Sequence, residues 1–122
     1  MCGRFTLSSD KKVEEKFGIE IKPSFNIAPS TNVLVLDKNL KPAKMKWNYS
    51  PTWANQPLNI INARSETLYE KPSFKNTERC IFVADGYYEW VRNSEAKQPY
   101  HISLHSHRPF AFAGLWETWS EE

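Results

Sequence analysis

The sequence has few of the residues and segments that define secreted, fibrous or membrane proteins. It contains two cysteines and four glycines in 122 residues. Two cysteines without a secretory signal do not form a disulfide framework, and no apolar run approaches the roughly 18 residues that a membrane span requires. The apolar core of a signal peptide is also missing after the first residues. We therefore expect a soluble, cytoplasmic protein with no membrane partner.

A strong charge bias is absent as well. Sixteen basic and fourteen acidic residues leave a formal net charge of +2, far from that of a histone-like protein that binds duplex DNA through charge alone. The hydrophobic fraction of 40% is typical of a globular chain. Five tryptophans are many for this length. Core packing is the first interpretation of these indoles, and stacking on unpaired bases is the second.

One short helix is predicted near the N-terminus. Residues 8–10, Ser-Ser-Asp, offer capping oxygens, and Gly18 can adopt the left-handed conformation that ends a helix. Residues 23–29 begin and end with proline, which predicts an irregular loop. Ser65 is a candidate cap for a second short helix that stops before Pro72.

Seven short segments have the composition of β-strands. They are residues 33–37, 44–48, 58–62, 80–84, 86–90, 100–105 and 110–116. The segment 80–84 is almost wholly apolar, as a strand buried on both faces would be, and Asp85-Gly86 predicts a bend after it. We predict a single α+β domain over residues 1–122, rich in β-structure, with mixed or antiparallel pairing in a barrel-like sheet and a few short helices.

The most reactive group that the sequence predicts is at its N-terminus. Cys2 follows the initiator methionine, so removal of Met1 would leave an α-amine and a thiol on adjacent carbons. Such a 1,2-aminothiol condenses with an aldehyde to an imine, and the sulfur then closes a five-membered thiazolidine. An α-amine titrates at about 7.7 to 8.0, so an appreciable fraction is neutral and nucleophilic near neutral pH.

The alternative for Cys2 is a small residue near a frayed chain end. The residues next to Cys2 favour a reactive role for its side chain instead. Gly3 allows close approach to the backbone, and Phe5 anchors the chain that follows. Arg4 places a permanent cation nearby, which lowers a thiol pKa and can hold a phosphate.

Several segments, taken in order along the chain, resemble the motifs of the SRAP (SOS response-associated peptidase) family. No single segment is specific, but the series covers the chain from residue 1 to residue 117. The segments are Met-Cys-Gly-Arg-Phe at 1–5, Phe-Asn-Ile-Ala-Pro at 25–29, Asn-Ala-Arg-Ser-Glu-Thr at 62–67, Arg-Cys at 79–80, Ala-Asp-Gly-Tyr-Tyr-Glu-Trp at 84–90, Pro-Tyr at 99–100 and Ala-Gly-Leu-Trp-Glu at 113–117.

This resemblance implies a function in DNA damage. The partner would be single-stranded DNA with an abasic site, whose ring-opened sugar is an aldehyde, and Cys2 would form a protective thiazolidine crosslink with it. The resemblance also implies lyase-like imine chemistry, a self-processing peptidase step that exposes Cys2, and association with the nucleoid during DNA damage. No cofactor is required, because both nucleophilic atoms come from one residue.

Individual site residues follow from the same resemblance. Asn62 matches an active-site asparagine that orients the Cys2 amine or the sugar hydroxyls, and its alternative role is a turn cap. Glu89 matches the catalytic glutamate, a general acid and base for imine formation and ring closure, and it would otherwise be a surface residue on a strand. Arg4 and Arg64 match phosphate-contacting arginines. Their alternative is a salt bridge to Glu66 or Asp85.

The loop from Trp47 to Trp53 lies where the family places a loop against the DNA bases. Both indoles have an exposed-looking context, so stacking on a base or wedging between bases is the predicted role. The family usually has a glycine directly after the tryptophan of this loop. Here Asn48-Tyr49-Ser50 stands in its place, which leaves the conformation of the loop open.

The sequence also departs from the family in length. Family members carry a further C-terminal portion with a histidine ahead of an arginine-methionine-proline segment, and nothing here matches it. His101, His105 and His107 all have odd residue numbers, so on a predicted strand they could face the same side. A further hypothesis is that one of them replaces the missing histidine. No motif with metal-ligand spacing is present, so no metal site is predicted. An incomplete domain also predicts self-association through unpaired strands.

Two other functions remain open. Glutamine amidotransferases with an N-terminal nucleophile also begin Met-Cys-Gly and attack with Cys2, although Arg4-Phe5 does not fit their usual continuation. The second alternative is a non-catalytic fragment that binds single-stranded DNA or another polypeptide without reacting. A glutaminase assay separates the first from abasic-site chemistry, and size-exclusion chromatography addresses the second.

Overall fold

The computed structural model describes residues 2–8, 10–92 and 95–118, and the elements within them are mainly short β-strands. Met1 and Ser9, which entered the sequence analysis, lie outside the described residues. The elements in chain order are β1 (Phe5–Leu7), α1 (Lys11–Phe17), β2 (Ser24–Ile27), β3 (Asn32–Asp37), β4 (Pro42–Lys46), two single-turn 3₁₀ helices (Ser65–Thr67 and Pro72–Phe74), β5 (Glu78–Ala84), β6 (Gly86–Arg92), β7 (Lys97–Ile102) and β8 (Phe110–Trp116).

The strands form two four-stranded sheets. Sheet A has the order β2-β1-β6-β7, and sheet B has the order β4-β3-β5-β8. Every pairing between these strands is antiparallel. The β-rich prediction is confirmed, whereas the barrel-like sheet is not, because the described strands do not close on one another. The chain passes from sheet B to sheet A at the bend between β5 and β6, where Asp85 lies.

The predicted N-terminal helix is confirmed together with its caps. The Asp10 side chain accepts a hydrogen bond from the Val13 amide at 3.0 Å, which satisfies one of the amides that has no partner within the helix. Gly18 ends α1 with φ of 63°, in the left-handed region that glycine enters at little cost. The second predicted helix is reduced to the single turn Ser65–Thr67.

Most of the predicted strands lie close to their predicted positions, but the predictions for two segments were wrong, and β1 was not predicted. Residues 58–62 form an isolated bridge between Tyr49 and Ile60 instead of a strand. Residues 24–27, predicted as an irregular loop, form β2 at the edge of sheet A. Pro23 and Pro29 lie just outside β2, where their missing amide hydrogens do not interrupt a ladder.

The core lies on both faces of sheet B. In β3, Val33 and Val35 pack in one apolar cluster with Phe5 and Trp47, while Leu34 and Leu36 pack in a second cluster. This division follows from the alternation of side chains along a strand. Phe5 of sheet A contacts the Trp47 ring edge-on at a centroid distance of 5.2 Å, so the first cluster, against which Cys2 also packs, joins the two sheets.

Candidate active site

The segment before β1 is held in a defined position. The Arg4 carbonyl accepts a hydrogen bond from the Tyr88 amide of β6 at 3.0 Å. The Asn62 side-chain amide donates to the Cys2 carbonyl at 2.8 Å, and the Cys2 thiol donates to the Arg4 carbonyl at 3.3 Å. The Cys2 side chain is half-buried and packs against the first core cluster. The N-terminal segment is therefore an ordered part of the fold.

Burial also determines the state of the Cys2 thiol. It raises the pKa of this thiol, and the negative charge of Glu89 adds to the increase while the Arg4 backbone opposes it. The thiol is therefore predominantly neutral near pH 7, because an unperturbed cysteine already titrates at about 8.5. A neutral thiol leaves the first attack on an electrophile to another group.

Glu89 reaches this region from β6. It is half-buried and lies opposite Tyr100 in the register of β6 and β7. Tyr87, two residues earlier on the same face, packs against the first core cluster, as Cys2 does. The structure thus brings the predicted residue Asn62 into contact with Cys2, and the negative charge of the predicted residue Glu89 contributes to the raised pKa of the Cys2 thiol.

An open groove of about 1090 Å³ begins at Cys2 and Asn62. Its walls come from the segment 45–63 and from β5 and β8, so most of its lining is apolar. The indole nitrogen of Trp116 is buried in this region without a hydrogen-bond partner among the described residues. Cys2 and Asn62 thus open onto a large and mainly apolar groove.

The two predicted phosphate-binding arginines differ in their environments. Arg4 is half-buried, and its guanidinium donates to the Gly3 carbonyl at 2.8 Å. Arg64 is exposed, with extended backbone immediately before the turn Ser65–Thr67. The alternative salt bridges to Glu66 or Asp85 do not form between these described side chains. Both guanidinium groups retain donors for an anion.

The structure separates the two tryptophans of the predicted DNA-contacting loop. Trp53 is 59% exposed and is accessible to a base, but Trp47 is only 6% exposed. The Trp47 indole nitrogen donates to the Ile61 carbonyl at 3.0 Å, and its ring packs on Phe5. The expected exposure of Trp47 was therefore wrong, since the core takes up its large apolar surface.

Tyr49 lines the groove and contacts residues from three other segments. Its hydroxyl lies 2.7 Å from a Glu117 carboxylate oxygen and also contacts the Ser73 carbonyl, and its ring stacks on Phe74. Burial and the Glu117 contact raise the Tyr49 pKa. Sequence reasoning missed this cluster. The one sequence feature that pointed to it was Glu117, the last residue of the SRAP-like segment 113–117.

The hypothesis of a substitute histidine does not fit the strand geometry. β7 ends at Ile102, so His105 and His107 lie beyond it. His101 lies opposite Tyr88 in β6, and its ring packs on the Tyr88 ring at a centroid distance of 5.1 Å. Side chains alternate along β6, so Tyr88 and Glu89 face opposite sides of sheet A. His101 is thus on the side away from Glu89.

The described residues contain neither a grouping of metal ligands nor a membrane-spanning helix. In the ranges 2–8, 10–92 and 95–118, no three side chains of His, Cys, Asp or Glu are grouped as a metal ion would require. Within the same ranges, none of the helices has both the length and the apolar character for crossing a membrane.

Comparisons with a family model and with individual proteins identify the same family. The family model described as SOS response associated peptidase (SRAP) matches residues 1–122. The abasic site processing protein YoqW of Bacillus subtilis is 44% identical, and the match covers 98% of this chain and 62% of YoqW. The abasic site processing protein YedK of Escherichia coli is 33% identical, with 97% of this chain and 60% of YedK covered. This chain thus spans less than two thirds of these relatives.

Solved structures show the same fold. A protein from Bacteroides thetaiotaomicron superimposes with a TM-score of 0.83 at 23% identity, covering 97% of this chain and 61% of that protein. A phage-related protein from Bordetella bronchiseptica has a TM-score of 0.74 at 29% identity, covering 98% of this chain and 63% of that protein.

Proposed function

Because this chain belongs to the SRAP family, we propose that it processes abasic sites in DNA by forming a covalent bond through Cys2. Its relatives YoqW and YedK are named abasic site processing proteins. The observation that carries the proposal is the hydrogen bond from Asn62 to the Cys2 carbonyl, together with the electrostatic effect of Glu89 on the Cys2 thiol. An aminothiol, an orienting amide and a carboxylate are the groups that this chemistry needs.

The proposed reaction begins after removal of Met1, through the family's self-processing peptidase step. The α-amine of Cys2 adds to the aldehyde carbon of the opened abasic sugar, and loss of water gives an imine. The sulfur then bonds to the imine carbon while the thiol proton passes to the nitrogen, which closes a thiazolidine. Glu89 carries protons in both steps. The raised thiol pKa favours attack by the amine first.

The DNA partner would lie along the groove that begins at Cys2 and Asn62. We propose that it is single-stranded, because an unpaired strand exposes its bases to an accessible indole such as Trp53. Arg4 and Arg64 would contact phosphates on either side of the abasic sugar. Trp47 has a structural role instead, since it supports the floor of the groove. The proposed place of action is the cytoplasm, in association with the nucleoid during DNA damage.

Incubation of Met1-processed protein with a single-stranded oligonucleotide carrying one abasic site tests this function. A denaturing gel should show a stable crosslinked band. Cys2→Ala should abolish the band, whereas the matched control Cys80→Ala should retain it, because Cys80 is buried within β5. Ammonia release from glutamine by the wild-type protein would favour the amidotransferase function instead. Folded, processed protein that forms no band would contradict the proposal.

A second candidate function is binding without reaction, with self-association of the chain. It is favoured by the open edges of the sheets: β7 is an edge of sheet A, and all six of its residues are exposed. Exposed strand edges pair readily with another chain. Size-exclusion chromatography at several concentrations checks this proposal, and a monomer at all of them would contradict it.

A further inference from the structure

We propose that Asp85, Thr6 and His101 form a positioning network that holds β1 in the register required for reaction at Cys2. The inference rests on the proposed function, because it concerns the placement of the proposed nucleophile. None of the three side chains faces the groove. They lie where β1, the bend between β5 and β6, and β7 meet.

Asp85 is the centre of the network. One carboxylate oxygen accepts a hydrogen bond from the Thr6 hydroxyl at 2.6 Å. The other accepts from the Ser8 amide at 2.7 Å and also from the Ser8 hydroxyl. The Asp85 amide in turn donates to the Thr6 carbonyl at 2.9 Å. Asp85 thus binds Thr6 within β1 and Ser8 directly after it, and these hydrogen bonds outweigh burial to lower the Asp85 pKa.

The third member completes a directed chain of hydrogen bonds. The His101 Nε2 atom lies 3.1 Å from the Thr6 hydroxyl oxygen. Thr6 has a single hydroxyl proton and donates it to Asp85, so His101 must be the donor in the second bond. Nε2 of His101 therefore carries a proton. Thr6 is only 1% exposed, which makes the loss of either bond costly.

Gly86 provides the space that the network needs. Thr6 and Gly86 are partners in the register of β1 and β6. A Cβ atom at residue 86 would overlap the His101 imidazole and would lie 2.9 Å from the Thr6 hydroxyl oxygen. Any side chain at this position therefore separates His101 from Thr6, although φ at residue 86 is ordinary.

The network is needed because the pairing of β1 alone is weak. β1 has three residues, it shares two pairs of Cα partners with β6, and its register with β2 shifts between Phe5 and Leu7. A slip by one residue would turn every side chain of a strand to the opposite face. Such a slip would also break the contact between Asn62 and Cys2. The bonds from Asp85 and His101 to Thr6 hold β1 against it.

Matched substitutions at Thr6 test the inference. Thr6→Val keeps the shape of the side chain and removes both hydrogen bonds, whereas Thr6→Ser keeps the hydroxyl. We expect Thr6→Val to lower the crosslinking rate at saturating oligonucleotide by about tenfold or more, since small misplacements of reacting groups have effects of this order. The oligonucleotide concentration at half-maximal rate should not change. Thr6→Ser should recover most of the rate.

Asp37→Asn is a control at a distance from Cys2, because the Asp37 carboxylate binds backbone amides in the turn between β3 and β4 of sheet B. If Thr6→Val fails to fold, His101→Ala on the exposed strand β7 replaces it, with the same expected direction. A variant that reacts at the wild-type rate would overturn the inference. A loss confined to the half-maximal concentration would also overturn it, because that change indicates a DNA contact.

A second measurement is independent of DNA. The rate of Cys2 alkylation by iodoacetamide reports how firmly the N-terminal segment is held, and it should rise in Thr6→Val but not in Thr6→Ser or Asp37→Asn. If the wild-type protein forms no crosslink, the proposed function fails while this measurement still decides about the network. An unchanged alkylation rate in Thr6→Val would then contradict the network itself.

Discussion

The two sheets of this protein are built alike in number and direction of strands, but they differ in burial. In sheet B, four consecutive residues of β3 are buried, so both faces of the sheet contribute to the core. In sheet A, β1 is buried while β7 is exposed throughout. Cys2 and Glu89 belong to sheet A or to the segment leading into it. Sheet B is therefore buried on both faces along β3, whereas the candidate site residues Cys2 and Glu89 lie in or beside the more exposed sheet A.

The two cysteines illustrate the same difference. Cys80 in sheet B is 6% exposed, and burial alone raises its thiol pKa to about 11. Cys2, next to sheet A, is half-buried, and the charge of Glu89 contributes to its raised pKa. The pKa of Cys80 is thus shifted by burial alone, whereas the pKa of Cys2 also depends on the charge of Glu89. Substitutions that separate stability from reactivity will sharpen this comparison.

Removal of the Glu89 charge should have the largest effect and should appear in reactivity alone. We expect Glu89→Gln to slow crosslinking by about 10²- to 10⁴-fold, as the loss of a general acid and base does. The same change should accelerate alkylation of Cys2 by iodoacetamide, because Glu89 raises the thiol pKa. Gel-based crosslinking and mass spectrometry measure the two rates. A parallel fall in both would argue against the assigned role.

Substitution of the two tryptophans should have different effects: loss of Trp47 should lower stability, and loss of Trp53 should weaken DNA binding. Trp47→Ala should lower the free energy of unfolding by about 3 to 5 kcal/mol, the range for large aromatic residues in a core. Trp53→Ala should leave stability unchanged and weaken binding of single-stranded DNA by about 1 to 3 kcal/mol. Urea denaturation and fluorescence anisotropy provide the measurements. Equal stability of the two variants would contradict the difference in burial.

Two glycine substitutions form a matched pair, one in each sheet. A Cβ at Gly114 of β8 would lie 2.8 Å from the Phe82 ring, which is packed against Phe5 and Trp47. Gly114→Ala should therefore cost about 1 to 3 kcal/mol of stability through overpacking, while folded protein should still crosslink. Gly86→Ala should lower the crosslinking rate of folded protein, since it displaces His101. Thermal denaturation and crosslinking rates distinguish the two results.

The smallest expected effect is a difference in pH dependence. The raised pKa of Cys80 means that its stabilising contribution is complete below about pH 9 and is lost as pH rises through about 11. The lowered pKa of Asp85 has the opposite sign: its contribution is present above the ordinary range for an aspartate and is lost as pH falls below it.

Urea denaturation across the pH range checks both signs. Cys80→Ala should flatten the alkaline limb of the stability profile, and Asp85→Asn should flatten the acid limb. Each substitution should leave the slope of the other limb in place. A Cys80→Ala protein with an unchanged alkaline limb would assign that limb to other groups.

Much of the fold was predictable from local patterns. The caps of α1 at Asp10 and Gly18 need only neighbouring atoms, so the sequence analysis found them. Strand β8 was predicted at its observed bounds because its apolar run ends at turn residues. The strand β2 was missed, since the flanking prolines indicate where pairing stops and carry no information about the residues between them.

The site was predictable to a smaller extent. The resemblance to the SRAP motifs directed attention to Cys2, Asn62 and Glu89, but the contact between Asn62 and Cys2 joins residues 60 positions apart. The role of Asp85 was not predicted, because its partner Thr6 is 79 positions away. Nothing in the segment 84–90 indicates which face of which strand will lie against it.

The sequence by itself determined which chemistry removal of Met1 would make available at Cys2, because an amine and a thiol on adjacent carbons would follow from covalent structure. It also determined most helix and strand positions, which depend on neighbours within a few residues. The tertiary structure decided that Trp53 is accessible while Trp47 is buried, that His101 faces away from Glu89, and that Thr6 of β1 contacts Asp85 and His101. These outcomes depend on strand register and on the path of the chain, which result from many weak contacts between distant residues.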